Sequence, residues 1–586
     1  MVTSSSLIGS SNNRGQRSGI MNRATWLTVV LATTAFANNS KISPDLQPLL
    51  VNPSSQLNVI IQYNSPQICS GVSLTAGLPC TRVNLLGGLV NQVFTLINAV
   101  AGTVVAGDVI PLSNQPSVSY ISLDRSLGAA LDYSAEGVNA PVAWNSGWDG
   151  TGVGVAVIDS GIYSHPDLLS ARSKQTRVVF RESFIGGVQN DDYGHGTHVA
   201  GIVAGTGATS NVPGSAHVLR GMAPNANLLD LRVLDQNGAG NDSAVIAAIQ
   251  TAVNLKSEYN VRVINLSLGR PFYEGCALDP LCEAVEAAWQ SGIVVVTAAG
   301  NLGRNGYSTI LSPGNSPHAI TVGAMKTEGT YTRSDDLIAS YSSKGPTYID
   351  LTVKPDIVAP GNLVVSLLAP GSTLAKTYPQ NVVGPSYYSS ASTGPAEYLQ
   401  LSGTSMATPV VSGTVALMLQ KDSTLTPDTV KARLMKTAGK TFPTSSTATD
   451  PTTGQTYTSF YDSFTIGAGY IDVAAALANY GETYFSSVSP SASYDPISKE
   501  GHFVLPLTSN WRWSPQWSPM AVWGSTVLPN GNTNIWNASD AWGSSSTWGT
   551  SIAWGTSGTC GTSIAWGTSG DCSTSIAWGT SGQGEP

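Results

Sequence analysis

The chain has 586 residues, 41% of them hydrophobic and 11% charged, enough for a large core and about two to four domains. Its 28 Lys and Arg stand against 36 Asp and Glu, a formal net charge of −8, with no basic run, which argues against nucleic acid as a partner. The 61 Gly and 33 Pro suit a loop-rich extracellular protein.

Residues 1–37 read as an export signal. Arg14, Arg17 and Arg23 precede the apolar run from Trp26 to Ala32, and Ala35-Phe36-Ala37 supplies a small-x-small cleavage pattern. The run is shorter than the roughly 20 residues that span hydrocarbon, and no other segment is long and apolar enough to form a stable membrane span. The expected location is secreted or cell-surface. The cysteines form close pairs, Cys69 with Cys80, Cys276 with Cys282 and Cys560 with Cys572. In an exported chain such pairs suggest disulfides, and pairing within each is the simplest connectivity. A metal site there would lack Cys-x-x-Cys spacing.

Residues 56–125 read as a small α+β domain. LNVIIQY (57–63) is strand-like, 89–105 reads as a helix running into a strand, and SVSYISLDRSL (117–127) as a last strand leading toward 130–145. From about 145 to 475 the pattern alternates. The strands are VGVAVID (153–159), NLLDLRVL (227–234), VRVINLSL (261–268), GIVVVTAAG (292–300) and AITVGAM (319–325). HVAGIVAG (198–205), SAVIAAIQTAVNL (243–255) and CEAVEAAWQSG (282–292) are helix-like. This predicts an α/β domain, a parallel sheet with helices on both faces. Ligands of such sheets bind beyond the carboxyl ends of the strands. Asp159 and Asn301 fall at such ends, while His195 and Ser405 open helices.

Residues 481–531 are rich in Ser, Pro and Trp and read as a linker. The tail, 532–586, is repetitive. Trp536, Trp542, Trp548, Trp554, Trp566 and Trp578 fall on a six-residue grid, with Cys560 and Cys572 on its two intervening points. Six is even, so an extended chain turns every grid residue to one face. Two hexads would then make one turn of a narrow β-solenoid; a flexible low-complexity tail is the alternative.

Three blocks carry the chemistry: VAVIDSGI around Asp159, GHGTHVAGIVAG around His195 and GTSMATPVVSGTVALM around Ser405. Nucleophilic acyl transfer needs an attacking oxygen, a base to take its proton, and an acid to orient the base. Gly403 and Gly413 allow close backbone approach beside the hydroxyl. Together the blocks resemble the subtilisin-like (subtilase) serine proteases over roughly 145–480, and the order Asp, His, Ser is the order of that triad.

The resemblance implies a subtilisin-like fold for 129–480 and a serine endopeptidase that hydrolyses proteins or peptides through Asp159, His195, Ser405 and an acyl-enzyme. It implies Asn301 as an oxyanion donor, beside a backbone N–H at Ser405. Gly238-Ala239-Gly240 and Ser267-Leu268-Gly269 would clamp the substrate as an added strand. Residues 38–128, with a core at 56–125, resemble the inhibitor propeptide, which blocks the cleft until self-processing cuts near 124–145. A monomer is expected. No cofactor is required and no metal ligand is assigned. Structural calcium is common in the family, and Asp167 in HPDL matches a frequent ligand position, but the loop 206–220 is poor in acids. His198 reads as a packed core histidine, since the zinc pattern His-Glu-x-x-His is absent. The rivals are a catalytically inactive surface-binding relative and a Ser-Glu-Asp acid peptidase, which the HGTH motif argues against.

Overall fold

The computed structural model describes residues 41–43, 46–64, 88–124, 126–129, 137–187, 189–212, 215, 217–330, 332–388, 394–450, 454–495, 500–524 and 535–537. The export signal, Cys69, Cys80, Cys560, Cys572 and all but the start of the hexad tail lie outside these residues.

A small antiparallel sheet comes first: β1 (Gln56–Tyr63), β2 (Leu89–Phe94), β3 (Ala99–Val105) and β4 (Val118–Leu123), in the order β2-β3-β1-β4, with helix α1 (Ala106–Ser113) after β3. The expected helix within 89–105 is instead a β2–β3 hairpin. Val90, Val93, Val100, Val104 and Val105 favour strand, and Asn98 takes the left-handed turn at φ 50°. The turn at 95–98 holds Leu96 and Ile97 and no Gly or Pro, which hides it in the sequence. Strand alternation gives the sheet two cores. Val59, Ile61, Val100 and Val104 pack with Val109, Leu112 and Ile121. Ile60, Phe94, Ala99 and Ala101 join the core of the following domain.

β5 (Ser126–Ala129) and α2 (Ala140–Asn145) lead into that domain. It contains β6 (Gly154–Asp159), β7 (Val178–Ser183), α3 (His195–Ala204), β8 (Asn227–Arg232), β9 (Gly240–Asn241), α4 (Asp242–Asn254), α5 (Lys256–Tyr259), β10 (Val261–Leu266), β11 (Leu268–Gly269), α6 (Pro280–Gln290), β12 (Val294–Ala298), β13 (Ile320–Lys326), β14 (Leu337–Ile338) and β15 (Ile357–Pro360). Next come β16 (Val364–Leu367), α7 (Thr373–Thr377), β17 (Val382–Val383), β18 (Tyr398–Leu401), α8 (Thr404–Lys421), α9 (Pro427–Thr437), the hairpin β19 (Ser445–Thr449) and β20 (Thr456–Phe460), and α10 (Val473–Ala478).

The main sheet runs β14-β13-β12-β10-β6-β8-β7, with β15 also paired to β13. All its pairs are parallel except β13–β14. This is the expected α/β class. Strand β6 lies between β8 and β10, where the order of the chain reverses. The crevice at such a switch point is where open parallel sheets bind ligands. Helix α8 is buried on all sides from Thr404 to Leu419, its polar side chains there being Ser and Thr; it packs on α3, β10, β12 and β13. Gly413 permits this, because a Cβ there would meet Met222 Cβ at 2.4 Å.

The segment expected as a linker is folded. β21 (Ser491–Asp495), β22 (Glu500–Val504) and β23 (Ile535–Asn537) form an antiparallel sheet, with α11 (Asn510–Trp513) and α12 (Pro519–Trp523) in between. Trp511, Trp517 and Trp523 are each 1% exposed. Trp511 Nε1 donates to Val488 O at 2.7 Å and Trp517 Nε1 to Glu482 O at 2.9 Å, and α12 packs on α9. The three indoles anchor an annex to the core through apolar area, and those of Trp511 and Trp517 each add a polar handle. Ser and Pro suppress periodicity here, so composition alone suggests a loop.

Candidate active site

Strand β6 ends at Asp159, helix α3 opens at His195, and the two meet. His195 Nδ1 donates to Asp159 Oδ1 at 2.6 Å, with both side chains fully buried. The same oxygen accepts the Ser160 N–H at 2.7 Å. The contact fixes the ring's orientation and leaves Nε2 as the acceptor nitrogen. Gly196 makes the approach possible: a Cβ there would lie 2.2 Å from Gly161 O and 3.1 Å from Asp159 Cβ.

A second buried carboxylate holds the helix start. Asp191 accepts from Gly194 N–H at 2.7 Å, Thr197 N–H at 2.8 Å, the Thr197 hydroxyl at 2.6 Å and the Ser160 hydroxyl at 2.8 Å. It satisfies N–H groups that the first helical turn leaves without acceptors. Burial pushes its pKa up, partly offset by these bonds. Sequence reading passed over Asp191; an acid just ahead of a helix start was the available signal.

Ser405 lies in the first turn of α8 and is 3% exposed. Four residues on, Pro409 has no N–H for the Ser405 carbonyl. That carbonyl accepts instead from the Ser267 hydroxyl at 2.7 Å. Ser267 in turn accepts from Asn265 Nδ2 at 2.9 Å, and Asn265 Oδ1 accepts from the Ser412 hydroxyl at 2.8 Å. A buried chain of neutral hydrogen bonds thus supports the backbone of the nucleophile.

Asn301 is half-buried beyond the end of β12. Its Oδ1 accepts from Thr404 N–H at 2.9 Å and from the Thr404 hydroxyl at 3.2 Å. This identifies the oxygen end of the amide and leaves Nδ2 as the donor end. His198 is buried with Nε2 2.9 Å from Leu399 O, and burial lowers its pKa well below the ordinary value. It is a core residue.

Of the six residues expected to bind substrate, three pair with β5. Leu127 faces Gly240, while Leu268 and Gly269 face Ala129 and Gly128, so β5 lies antiparallel between β9 and β11. Gly238 and Ala239 form the adjoining turn on Asp235. Gly238 has φ +73°, and a Cβ there would strike the Tyr193 ring at 2.5 Å. The Ser267 side chain points inward, as described. Of the expected disulfides, Cys276–Cys282 is formed, with Cα atoms 5.3 Å apart.

Residues 150–469 match the model of the subtilase family, Peptidase S8. Serine protease AprX of Bacillus subtilis (strain 168) is 39% identical over 332 residues, 55% of this chain and 70% of the relative. Subtilisin E of the same organism is 36% identical over 360 residues, 60% of this chain and 78% of the relative. An alkaline protease of Alkalihalobacillus alcalophilus is 34% identical over 336 residues, 56% of this chain and 71% of the relative.

Proposed function

The chain belongs to the subtilase family and is a serine endopeptidase, and from that premise we propose that Asp159, His195 and Ser405 are its catalytic triad, within a self-processing, exported zymogen. The observation that carries the assignment is the buried 2.6 Å contact between His195 and Asp159 at the switch point of the sheet. Ser405 Oγ attacks the peptide carbonyl, and His195 Nε2 takes its proton. Asp159 stabilises the imidazolium. Asn301 Nδ2 and the Ser405 N–H bind the oxyanion. His195 then protonates the leaving amine, and water hydrolyses the acyl-enzyme by the reverse sequence. Removing the Ser405 hydroxyl, treated in the Discussion, tests the assignment.

The zymogen reading is supported by β5, which occupies the strand position between β9 and β11 as a substrate would. Residues 56–125 then act as the core of an inhibitor domain, and the cut falls near 124–145. Export by residues 1–37, a monomeric state and a hexad tail of stacked extended rungs complete the proposal. Among the described residues no helix is long and apolar enough to cross a membrane.

One carboxylate ties the inhibitor domain to the enzyme, and a second lines the cavity between them. Asp124 accepts from Ser243 N–H at 2.7 Å and from its hydroxyl at 2.5 Å, at the start of α4. Asp124→Ala is therefore expected to weaken inhibition of the mature enzyme by the separately supplied inhibitor domain about tenfold, the size of one charge-assisted hydrogen bond. An unchanged inhibition constant would remove Asp124 from the interface. Burial raises the pKa of Asp124. Burial, then Glu286 and Asp279, raise that of Glu283 to about 7 from 4.5. Glu283 lines a cavity of about 310 Å³ shared with Gln62, Tyr63, Asn98 and Ser119. Glu286 and Asp279 act on Glu283 in the free enzyme as well, so it is the burial added by docking that makes the docked state bind extra protons, and docking weakens as pH rises from the acid side through about 7. Inhibition constants measured across that range check the sign; tighter binding at the alkaline end would contradict it.

A further inference from the structure

Asp167 occupies the position where the family resemblance would put calcium, and its surroundings do not fit that ion. Calcium takes about six to eight oxygens at roughly 2.3–2.6 Å. Here Asp167 Oδ1 accepts from Thr209 N–H at 2.7 Å and from the Thr209 hydroxyl at 2.6 Å. Oδ2 accepts from the Tyr398 hydroxyl at 2.6 Å. The chain from Thr206 to Gly221 contains no Asp or Glu to complete a ligand set.

The cradle holds a cation of the chain's own. Arg177, 5% exposed, donates from Nη1 to Ala226 O at 2.8 Å, and from Nη2 to Asp167 O at 3.0 Å and Ala204 O at 2.5 Å. Ala204 is the last residue of α3, where helix carbonyls lack intrahelical donors and the dipole favours positive charge. Asp167 O also accepts from Thr206 N–H at 2.9 Å and from its hydroxyl at 3.0 Å. Three separate segments thus converge on one planar, forked donor.

We propose that Arg177 is the resident cation of this cradle, so that the segments around Asp167, Ala204 and Ala226 are held together without a divalent ion. Burial lowers the guanidinium pKa to about 10, against the opposing pull of Asp167, so it keeps its charge at neutral pH. Burial and the neighbouring Asp167 push the Tyr398 hydroxyl well above its ordinary range, so it remains a donor. His165 completes the turn, with Nδ1 accepting from Asp167 N–H at 3.1 Å. A calcium ion at Asp167 would displace the Tyr398 and Thr209 donors and face a guanidinium at close range.

The test uses the full-length precursor carrying Ser405→Ala, which removes self-digestion. Its thermal unfolding is followed in chelator and in millimolar calcium, beside versions that also carry Asp167→Asn, Arg177→Gln or Tyr398→Phe. Any calcium response is expected to be the same with and without Asp167→Asn. Arg177→Gln is expected to lower Tm by roughly 5–15 °C, because it leaves buried carbonyls short of donors and Asp167 without its counter-charge. If that variant does not fold, Tyr398→Phe, which removes one donor from Asp167 and leaves Arg177 in place, carries the test: it is expected to lower Tm without gaining a calcium response, because the guanidinium still holds the cradle, and a gained response would overturn the proposal. A calcium-dependent rise in Tm of the precursor that disappears in Asp167→Asn would overturn the proposal. So would an Arg177→Gln protein as stable as the precursor.

Discussion

Ser405→Ala is expected to reduce peptide hydrolysis by about 10⁶-fold in kcat, the scale of loss when a subtilisin loses its nucleophile, and to leave an uncleaved precursor. The substitution removes one oxygen from the first turn of a buried helix. Alanine is the best helix former, and the Ser405 carbonyl, which receives the Ser267 hydroxyl, belongs to the backbone and is retained. The fold should therefore survive. Purified variant, free of other proteases, would be assayed on a peptide substrate and weighed by intact-mass spectrometry. Processed protein in that preparation would remove the claim that the chain cuts itself.

Asn301 is the second large effect. Asn301→Ala should cost about 10²–10³ in kcat with little change in KM, because the oxyanion it is proposed to bind exists only near the transition state. Alanine also removes the acceptor for Thr404 N–H, so a structural loss has to be separated. Asn301→Asp does this: it keeps an oxygen for Thr404 and lacks the Nδ2 donors. A donor role predicts that both variants lose kcat. If the Asp variant keeps wild-type kcat, Asn301 acts only through Thr404.

The strands that position the site were legible because their residues are apolar and β-branched in near-continuous runs, the mark of a sheet buried on both faces. Asp159 and Asn301 could be placed at strand ends and His195 and Ser405 at helix starts for the same reason. What supports them was not legible. Asp191 caps α3 from outside the helix, and Ser267 turns inward because Pro409, far along the chain, frees a carbonyl. Such partnerships depend on tertiary contacts that no local period encodes. The β2–β3 hairpin was missed because its turn at 95–98 holds two apolar residues, Leu96 and Ile97, and no Gly or Pro. The Trp annex at 486–524 was missed because side-chain anchoring, not backbone periodicity, orders it. Arg177 carries no motif; only the convergence of the carbonyls of Asp167, Ala204 and Ala226 on its guanidinium gives it a role.

The central claim is that the Ser405 oxygen is a nucleophile activated by His195. Reaction of the mature protein with a fluorophosphonate at neutral pH tests it most directly, since a base-activated serine displaces fluoride and forms a stable phosphonyl ester. Peptide mapping should place a single adduct on Ser405, and His195→Ala should abolish it in otherwise folded protein. An unlabelled Ser405 in protein that still hydrolyses peptides, or an adduct that forms equally well without His195, would contradict the account.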